Sequence, residues 1–255
     1  MQTLTNDDII KVLRSMPKKV RDFLAWPPYR IWIAGGYIRS IIANEEPTDL
    51  DLFVSQEARM LESEIAHSLG SSILRKGIVT NTDNAFTVTS QDFLPIQFIT
   101  RWKYSRIEDL LNSFDFTIAQ AAIWHERGVW LSMCADEFYS SLASKSLVYR
   151  APDRDEDAGG SILRVLRFLR KGYSISPEHF SAVLARLIVG GKIGDGIDCA
   201  LDDVDKQKAM ANQITRQLRL VDPLHLVAGV PETAVARFEE MTQGDGDGLR
   251  EVLED

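Results

Sequence analysis

The run W-I-A-G-G-Y-I-R-S-I-I-A-N-E-E-P-T-D-L-D-L-F-V, residues 32–54, holds two apolar segments separated by a glycine break and a polar turn. Arg30 to Ala34 is compact and β-prone, so it predicts a strand. Gly35–Gly36 ends it, and the apolar spacing from Tyr37 to Ala43 predicts a helix. Asn44 to Thr48, with Pro47, is a polar turn, and Asp49-Leu-Asp-Leu-Phe-Val54 alternates acid with apolar as a second strand does. A strand that runs through glycines into a helix leaves the first helical N–H groups unpaired. Glycine lets backbone approach a bulky anion, so this bend is a candidate phosphate cradle at Gly35 and Gly36. Asp49 and Asp51 lie two apart, and strand side chains two apart share a face. Two carboxylates on one face repel unless cations sit between them. Hard oxygen ligands of this kind suit Mg²⁺, which shares its shell with substrate phosphates. Two such ions can stabilise both the attacking and the leaving oxygens of a phosphoryl displacement. The twelve residues between Gly36 and Asp49 are enough for a two-turn helix and a loop, which returns both features to one end of a sheet.

Outward from this unit, residues 5–16 read as a helix capped by Thr5 or Asn6, with Asp7 and Asp8 in its first turn. Pro27–Pro28 ends a helix over 17–25. Glu57 to Leu69 reads as a helix stopped by Gly70. Strands are predicted at Ser72–Leu74, Ala85–Thr89 and Ile96–Thr100, and helical stretches at Ile107–Leu111 and Phe116–Trp124. Beyond about residue 158 the strand signals stop. Helices are predicted at 161–171, 177–188, 197–220 and 233–241, with Gly-rich turns at 189–196 and 244–248. The expected architecture is α+β, with a mixed sheet flanked by helices over residues 1–150 and an all-α domain over 151–255.

Gly35-Gly36-Tyr-Ile-Arg39 followed by Asp49-Leu-Asp51 resembles the nucleotidyltransferase superfamily that includes DNA polymerase β. The nearest resemblance is to class II CCA-adding enzymes and bacterial poly(A) polymerases, which read Gly-Gly-x-x-Arg-Asp and then Asp-x-Asp. Asp115-Phe-Thr-Ile118 is similar to that family's Arg-Asp-Phe-Thr ribose-recognition motif. Ile123 to Leu142, with Gly128 and then Asp136-Glu-Phe138, is similar to the hairpin and Asp-Pro-Phe segment that follow. Leu163-Arg-Val-Leu-Arg-Phe168 with Gly172-Tyr173 is similar to the helix that opens the neck. The resemblance covers about residues 30–175. It implies transfer of a nucleoside monophosphate from an NTP to an acceptor hydroxyl, with Asp49 and Asp51 catalytic and holding two Mg²⁺. It assigns nucleotide contacts to Gly35, Gly36, Arg39, Asp115, Arg164 and Arg167. The acceptor is left open between an RNA 3′ end, a protein and a small molecule.

The chain also departs from this pattern. Arg39 is followed by Ser40, Phe114 precedes Asp115 where the family has Arg, and the base-reading neck motif aligns with Asp157-Ala-Gly-Gly-Ser161 and lacks its arginine. The strand place of the third carboxylate, Ile96-Gln-Phe-Ile99, offers Gln97. Either Asp115 or Asp92 assists, or two acids suffice, or the chain is a weak or inactive nucleotide-binding module on the same fold. Arg39 is equally a phosphate contact or an anchor for the neck. Asp115 is a ribose acceptor, a cap for a helix from Phe116, or both. Arg164, Arg167 and Lys171 share one helix face, where they hold a triphosphate or an acceptor backbone or pair with Asp153 to Asp157.

Of 255 residues, 45% are hydrophobic and 26% charged, an ordinary globular balance. No apolar run reaches the ~18 residues of a membrane span. Asp7–Asp8 ahead of the apolar Ile9–Ile10 is not a secretory start, and two cysteines make no disulfide framework. The expectation is a reduced, cytoplasmic protein with no membrane partner. The net charge is −8, and residues 201–255, with six Lys/Arg against twelve Asp/Glu, carry most of it. That balance argues against a strongly basic nucleic-acid binder and against DNA, but leaves room for a local basic patch. A protein partner or a homo-oligomer stays open. His67, His125, His179 and His225 have no metal-ligand spacing, and the acidic 244–248 turn lacks a calcium-loop pattern. Trp102, between Arg101 and Lys103, is a candidate stacking contact.

Overall fold

The alternating segment becomes a strand whose Leu50 and Leu52 are fully buried and whose Asp51 is half-buried, as a sheet with two differently covered faces requires. The computed structural model describes residues 1–25, 30–56, 58, 61–152 and 158–219. It divides into two units, Met1–Asp153 and Arg154–Asp255. Among the described residues of the first, seven strands form one sheet: β1 (Ile31–Ala34), β2 (Leu50–Val54), β3 (Ile78–Asn81), β4 (Ala85–Thr89), β5 (Ile96–Ile99), β6 (Ala121–Glu126) and β7 (Val129–Cys134). Their spatial order is β3-β4-β5-β2-β1-β6-β7. β2 and β5 are parallel, and every other neighbouring pair is antiparallel. The sheet is therefore mixed, as expected.

Helices α1 (Asn6–Arg14), α2 (Lys18–Leu24), α3 (Gly36–Ile42) and α4 (Glu62–Ser68) belong to this unit. Thr5 caps α1, its hydroxyl accepting from the Asp8 N–H at 3.2 Å. The face bearing Leu50, Leu52, Ile96, Phe98, Ile33 and Ile123 is sealed, each residue being at most 1% exposed. Burying such side chains contributes about 1.5–3 kcal/mol apiece. On the other face, α5 (Ile107–Asn112) lays Ile107, Leu110 and Leu111 over Trp32, Ala34, Phe53 and Ala122. α6 (Phe138–Ala143) follows β7 and buries Phe138 and Leu142.

Several expectations are corrected. No strand forms at Ser72–Leu74. The helix winds on through a π turn, Leu69–Ile73, and the strand is Ile78–Asn81. Gly70 marks a close approach rather than a stop: a β-carbon there would lie 3.1 Å from Val79, and Gly77 has no room for one against Gly70's backbone. The 116–124 stretch is not a helix. It is a 3₁₀ turn, Thr117–Ala119, followed by β6, whose Ala121, Ala122 and Ile123 are wholly buried between β1 and β7. The hairpin suggested by the resemblance is there, β6 pairing with β7 from Ala121↔Cys134 to Glu126↔Val129.

The second unit contains α7 (Ala158–Arg170), α8 (Pro177–Gly190) and α9 (Asp203–Arg219). Val165, Phe168, Val183 and Leu187 are buried. Gln213 of α9 ties the turn after α8, accepting from the Gly194 N–H at 2.6 Å and donating to the Asp195 carbonyl at 2.9 Å. Pro27–Pro28, Asp153 to Asp157, His225, the helix predicted at 233–241 and the turn predicted at 244–248 lie outside the described residues, as does Glu57, the predicted start of α4. No helix among the described residues is long and apolar enough to cross a membrane.

Candidate functional site

The site is built at the end of the sheet where β1 runs out. Gly35 stands at φ +81°, a conformation that costs any residue with a side chain. Its N–H is committed, donating to the Ala121 carbonyl of β6 at 3.1 Å. The N–H groups left to a ligand at this bend are therefore those that open α3 from Gly36 onward. This narrows the expected cradle, since Gly35 shapes it without donating to it. A β-carbon on Gly35 would lie 3.2 Å from the Phe114 ring and 3.9 Å from Asp51 Oδ2. The glycine bend and one carboxylate thus share one small space, roofed by an aromatic ring. Phe114 is held there by an edge contact with Phe53, ring centroids 6.0 Å apart and planes at 85°, and by Gln120, whose Nε2 donates to the Phe114 carbonyl at 3.1 Å.

Asp51 lies in β2 directly beside Gln97 of β5. Gln97 is 8% exposed. Asp49 precedes β2 by one residue, half-buried, and its Oδ1 accepts from the Thr48 hydroxyl at 3.0 Å. Leu50, between the two aspartates, is fully buried, which is what alternation demands if both acids stand on the opposite side. The register brings one carboxylate, Asp51, and a neutral amide, Gln97, together at this place, and Asp49 stands two residues from Asp51 along the chain. No trio of His, Cys, Asp or Glu able to hold a metal occurs among the described residues. Two carboxylates nevertheless fit a Mg²⁺ that arrives with a triphosphate and completes its shell with phosphate oxygens and water.

Arg39 is 7% exposed and folds back over the start of its own helix. Its guanidinium lies 3.7–4.0 Å from the place of a β-carbon on Gly36, and Nη2 donates to Ser40 Oγ at 3.0 Å. Ser40, where the resembling family has Asp, gives this arginine a neutral neighbour. Asp115 is 3% exposed, and its carbonyl accepts from the Arg150 N–H at 2.7 Å. It caps no helix from Phe116: the 3₁₀ turn has Phe116 itself as N-cap, with no side-chain cap bond. Arg164 and Arg167 lie three apart on α7 of the second unit, both partly exposed.

Asp92 is an ion-pair hub. Lys19 donates to its Oδ2, and Arg75 donates through its backbone N–H at 2.7 Å and through Nε at 2.6 Å. These bonds, that from Lys19 first, hold its carboxyl well below the usual carboxylate range. Trp102 carries the guanidinium of Arg101 over its ring at 4.7 Å. Both cysteines are free, and burial pushes the Cys134 thiol up to about 12. Phe114 is a site residue that carries no sequence signal beyond its place ahead of Asp115, because its position over Gly35 depends on packing that its neighbours in sequence do not encode.

Solved structures share this fold. The Thermotoga maritima CCA-adding enzyme complexed with tRNA is similar at TM-score 0.56 and 17% identity, over 94% of this chain and 55% of that one. A CCA-adding enzyme in complex with ATP gives 0.57 and 18%, over 94% and 54%. An apo form gives 0.58 and 16%, over 94% and 56%. The chain spans just over half the length of these structures. At such identities the likeness shows the fold, which is that of nucleotidyltransferases. None of the curated proteins matches. The sequence model of the Gabija anti-defense 2 (Gad2) family matches residues 4–145. With more than half its length so matched, the chain belongs to the Gabija anti-defense 2 family.

Proposed function

We infer that the chain is a nucleotidyltransferase. An acceptor hydroxyl oxygen bonds to the α-phosphorus of an NTP, the bond from that phosphorus to the bridging oxygen breaks, pyrophosphate leaves and the hydroxyl proton passes to solvent or a nearby base. The observation that carries this reading is the convergence of Asp51 on the Gly35 bend, with 3.9 Å between its carboxylate and the place a β-carbon would fill. Asp49 and Asp51 are the groups that hold Mg²⁺, two ions in the reading from the resemblance. When bound, the metal neutralises charge on the triphosphate and on the attacking and leaving oxygens. The protein's own part is positioning and electrostatics. The N–H groups from Gly36 meet phosphate oxygens, and the absence of side chains at Gly35 and Gly36 leaves room for them. Arg39, Asp115, Arg164 and Arg167 keep the nucleotide-contact roles that the resemblance gives them. The acceptor is RNA, protein or a small molecule. The family's name sets that activity against Gabija defence and is compatible with either an enzymatic or a binding role.

One observation favours a second reading, a nucleotide-binding module with little or no turnover. The residue in register with Asp51 is Gln97, a neutral ligand and a poor base. Incubation with labelled NTPs, Mg²⁺ and candidate acceptors separates the two. Mg²⁺-dependent pyrophosphate release that is lost in D49A/D51A supports the enzyme, and tight NTP binding without release supports the module.

A further inference from the structure

The same face of the sheet has a second built feature at its other end, where β1 enters. Trp32 of β1 and Trp124 of β6 are direct cross-strand partners. Around them opens a cleft of about 440 Å³, within the size range of small-molecule sites. It is lined by Arg30, Trp32, Ser55, Ser105, Trp124 and Arg127, with Glu126 at its edge. It is separate from the Gly35 bend: β1 begins beside this cleft at Ile31 and ends at Ala34 before that bend, while α5 covers the stretch between, packing on Trp32 and Ala34.

The cationic groups are placed by unusual backbone. Arg30 has φ +43°, a left-handed conformation that a non-glycine residue adopts at a cost. The Ser55 N–H donates to the Arg30 carbonyl at 3.0 Å and fixes that geometry. Arg127 and Gly128 both have positive φ, +50° and +84°, as a tight two-residue hairpin turn requires, and the turn holds Arg127 at the tip with its side chain 90% exposed. Ser105 Oγ donates to Gln56 Oε1 at 2.7 Å, which ties the loop before α5 to the end of β2. Glu126 Oε2 accepts from Trp124 Nε1 at 3.4 Å, which sets the indole's orientation.

A partly exposed indole, the guanidiniums of Arg30 and Arg127 and the hydroxyls of Ser55 and Ser105, all lining one cleft, are groups that recognise a nucleotide. The base stacks on the ring, and the phosphate meets Arg30. We propose that this cleft is a second, metal-independent nucleotide-binding site, which takes either a free nucleoside monophosphate or one nucleotide of a single strand. Glu126, whose Oε1 lies 3.8 Å from Arg127 Nε, offsets that cation and adds an acceptor for a base amino group, so the phosphate end lies towards Arg30.

The test uses the full chain in EDTA, which silences metal-triphosphate binding at the Asp49–Asp51 site. Fluorescein-labelled U10 RNA is followed by anisotropy and UMP by tryptophan quenching, each across a NaCl series. Binding of UMP alone identifies a free nucleotide as the ligand, and binding of U10 with weak UMP identifies a strand; both support the site. R30A/R127A weakens binding about tenfold or more and lowers the log–log salt slope by about 1, the share of the phosphate-facing Arg30, since Arg127 is paired with Glu126. W124A loses binding and W124F recovers most of it. D51N binds as the wild type does. No binding of either probe by the wild type overturns the proposal, as does a folded R30A/R127A that binds within twofold of wild type. Loss in D51N with retention in R30A/R127A overturns it too.

Discussion

Asp51 and Gln97 stand side by side on the parallel strands β2 and β5, one a half-buried carboxylate and the other an amide that is 8% exposed. The pairing sets the charge of the site. A carboxylate at 97 would face Asp51 at close range and, without a cation between them, raise its pKa and its cost. An amide tolerates the neighbour but lends less to a metal.

Gln97→Glu therefore makes stability depend on metal. In EDTA the variant melts below wild type by roughly the 2–4 °C that accompanies each kcal/mol in a chain of this size. Millimolar Mg²⁺ restores most of the loss and raises wild type less. Thermal melting with and without Mg²⁺ checks this, and an equal loss in both conditions counts against a cation between residues 51 and 97.

The two glycines of the bend have different jobs. Gly35→Ala puts a β-carbon at positive φ and 3.2 Å from the Phe114 ring, and it loses about 1–3 kcal/mol by urea unfolding. At Gly36, φ is ordinary and the nearest atom is 3.7 Å away, so Gly36→Ala stays within about 0.5 kcal/mol of wild type. It still weakens NTP binding, because the methyl occupies ground that a phosphate approaches. Equilibrium unfolding and NTP titration on the two variants separate the roles.

Asp92 gives the acid limb of stability. Its folded pKa lies below its unfolded value, so its contribution is complete above the unfolded carboxylate pKa near 4 and drains away as pH falls towards the folded one. Asp92→Asn melts lower than wild type at pH 7, and the gap between them narrows as pH drops from about 5 to 2. Melting temperatures over that range check the sign. A gap that widens on acidification contradicts the ion-pair assignment with Lys19 and Arg75.

Much of the sheet was legible because local chemistry and tertiary demand agree in β1, β2, β4 and β5. The Asp-Leu-Asp-Leu alternation could only be a strand with one sealed face. β6 failed for the opposite reason. Ala121, Ala122 and Ile123 are buried on both faces, so alternation vanishes and an apolar run reads as a helix. Gly70 misled because glycine serves close packing as readily as helix ends. The nearness of Asp51 to Gly35 was anticipated from spacing alone. The Phe114 roof and the Trp32–Trp124 pair were not, because each joins residues some 80 to 90 positions apart through packing or strand register.

We propose that Asp51, converging on the Gly35 bend, forms together with Asp49 a site where a metal-bound triphosphate turns over. Its most direct measurement is pyrophosphate released from each NTP by wild type and by D49A/D51A, with Mg²⁺ and with EDTA. The account predicts release by wild type in Mg²⁺ alone and a fall of at least about 10²-fold in the double variant. Equal release by both proteins, or release that persists in EDTA, would contradict it.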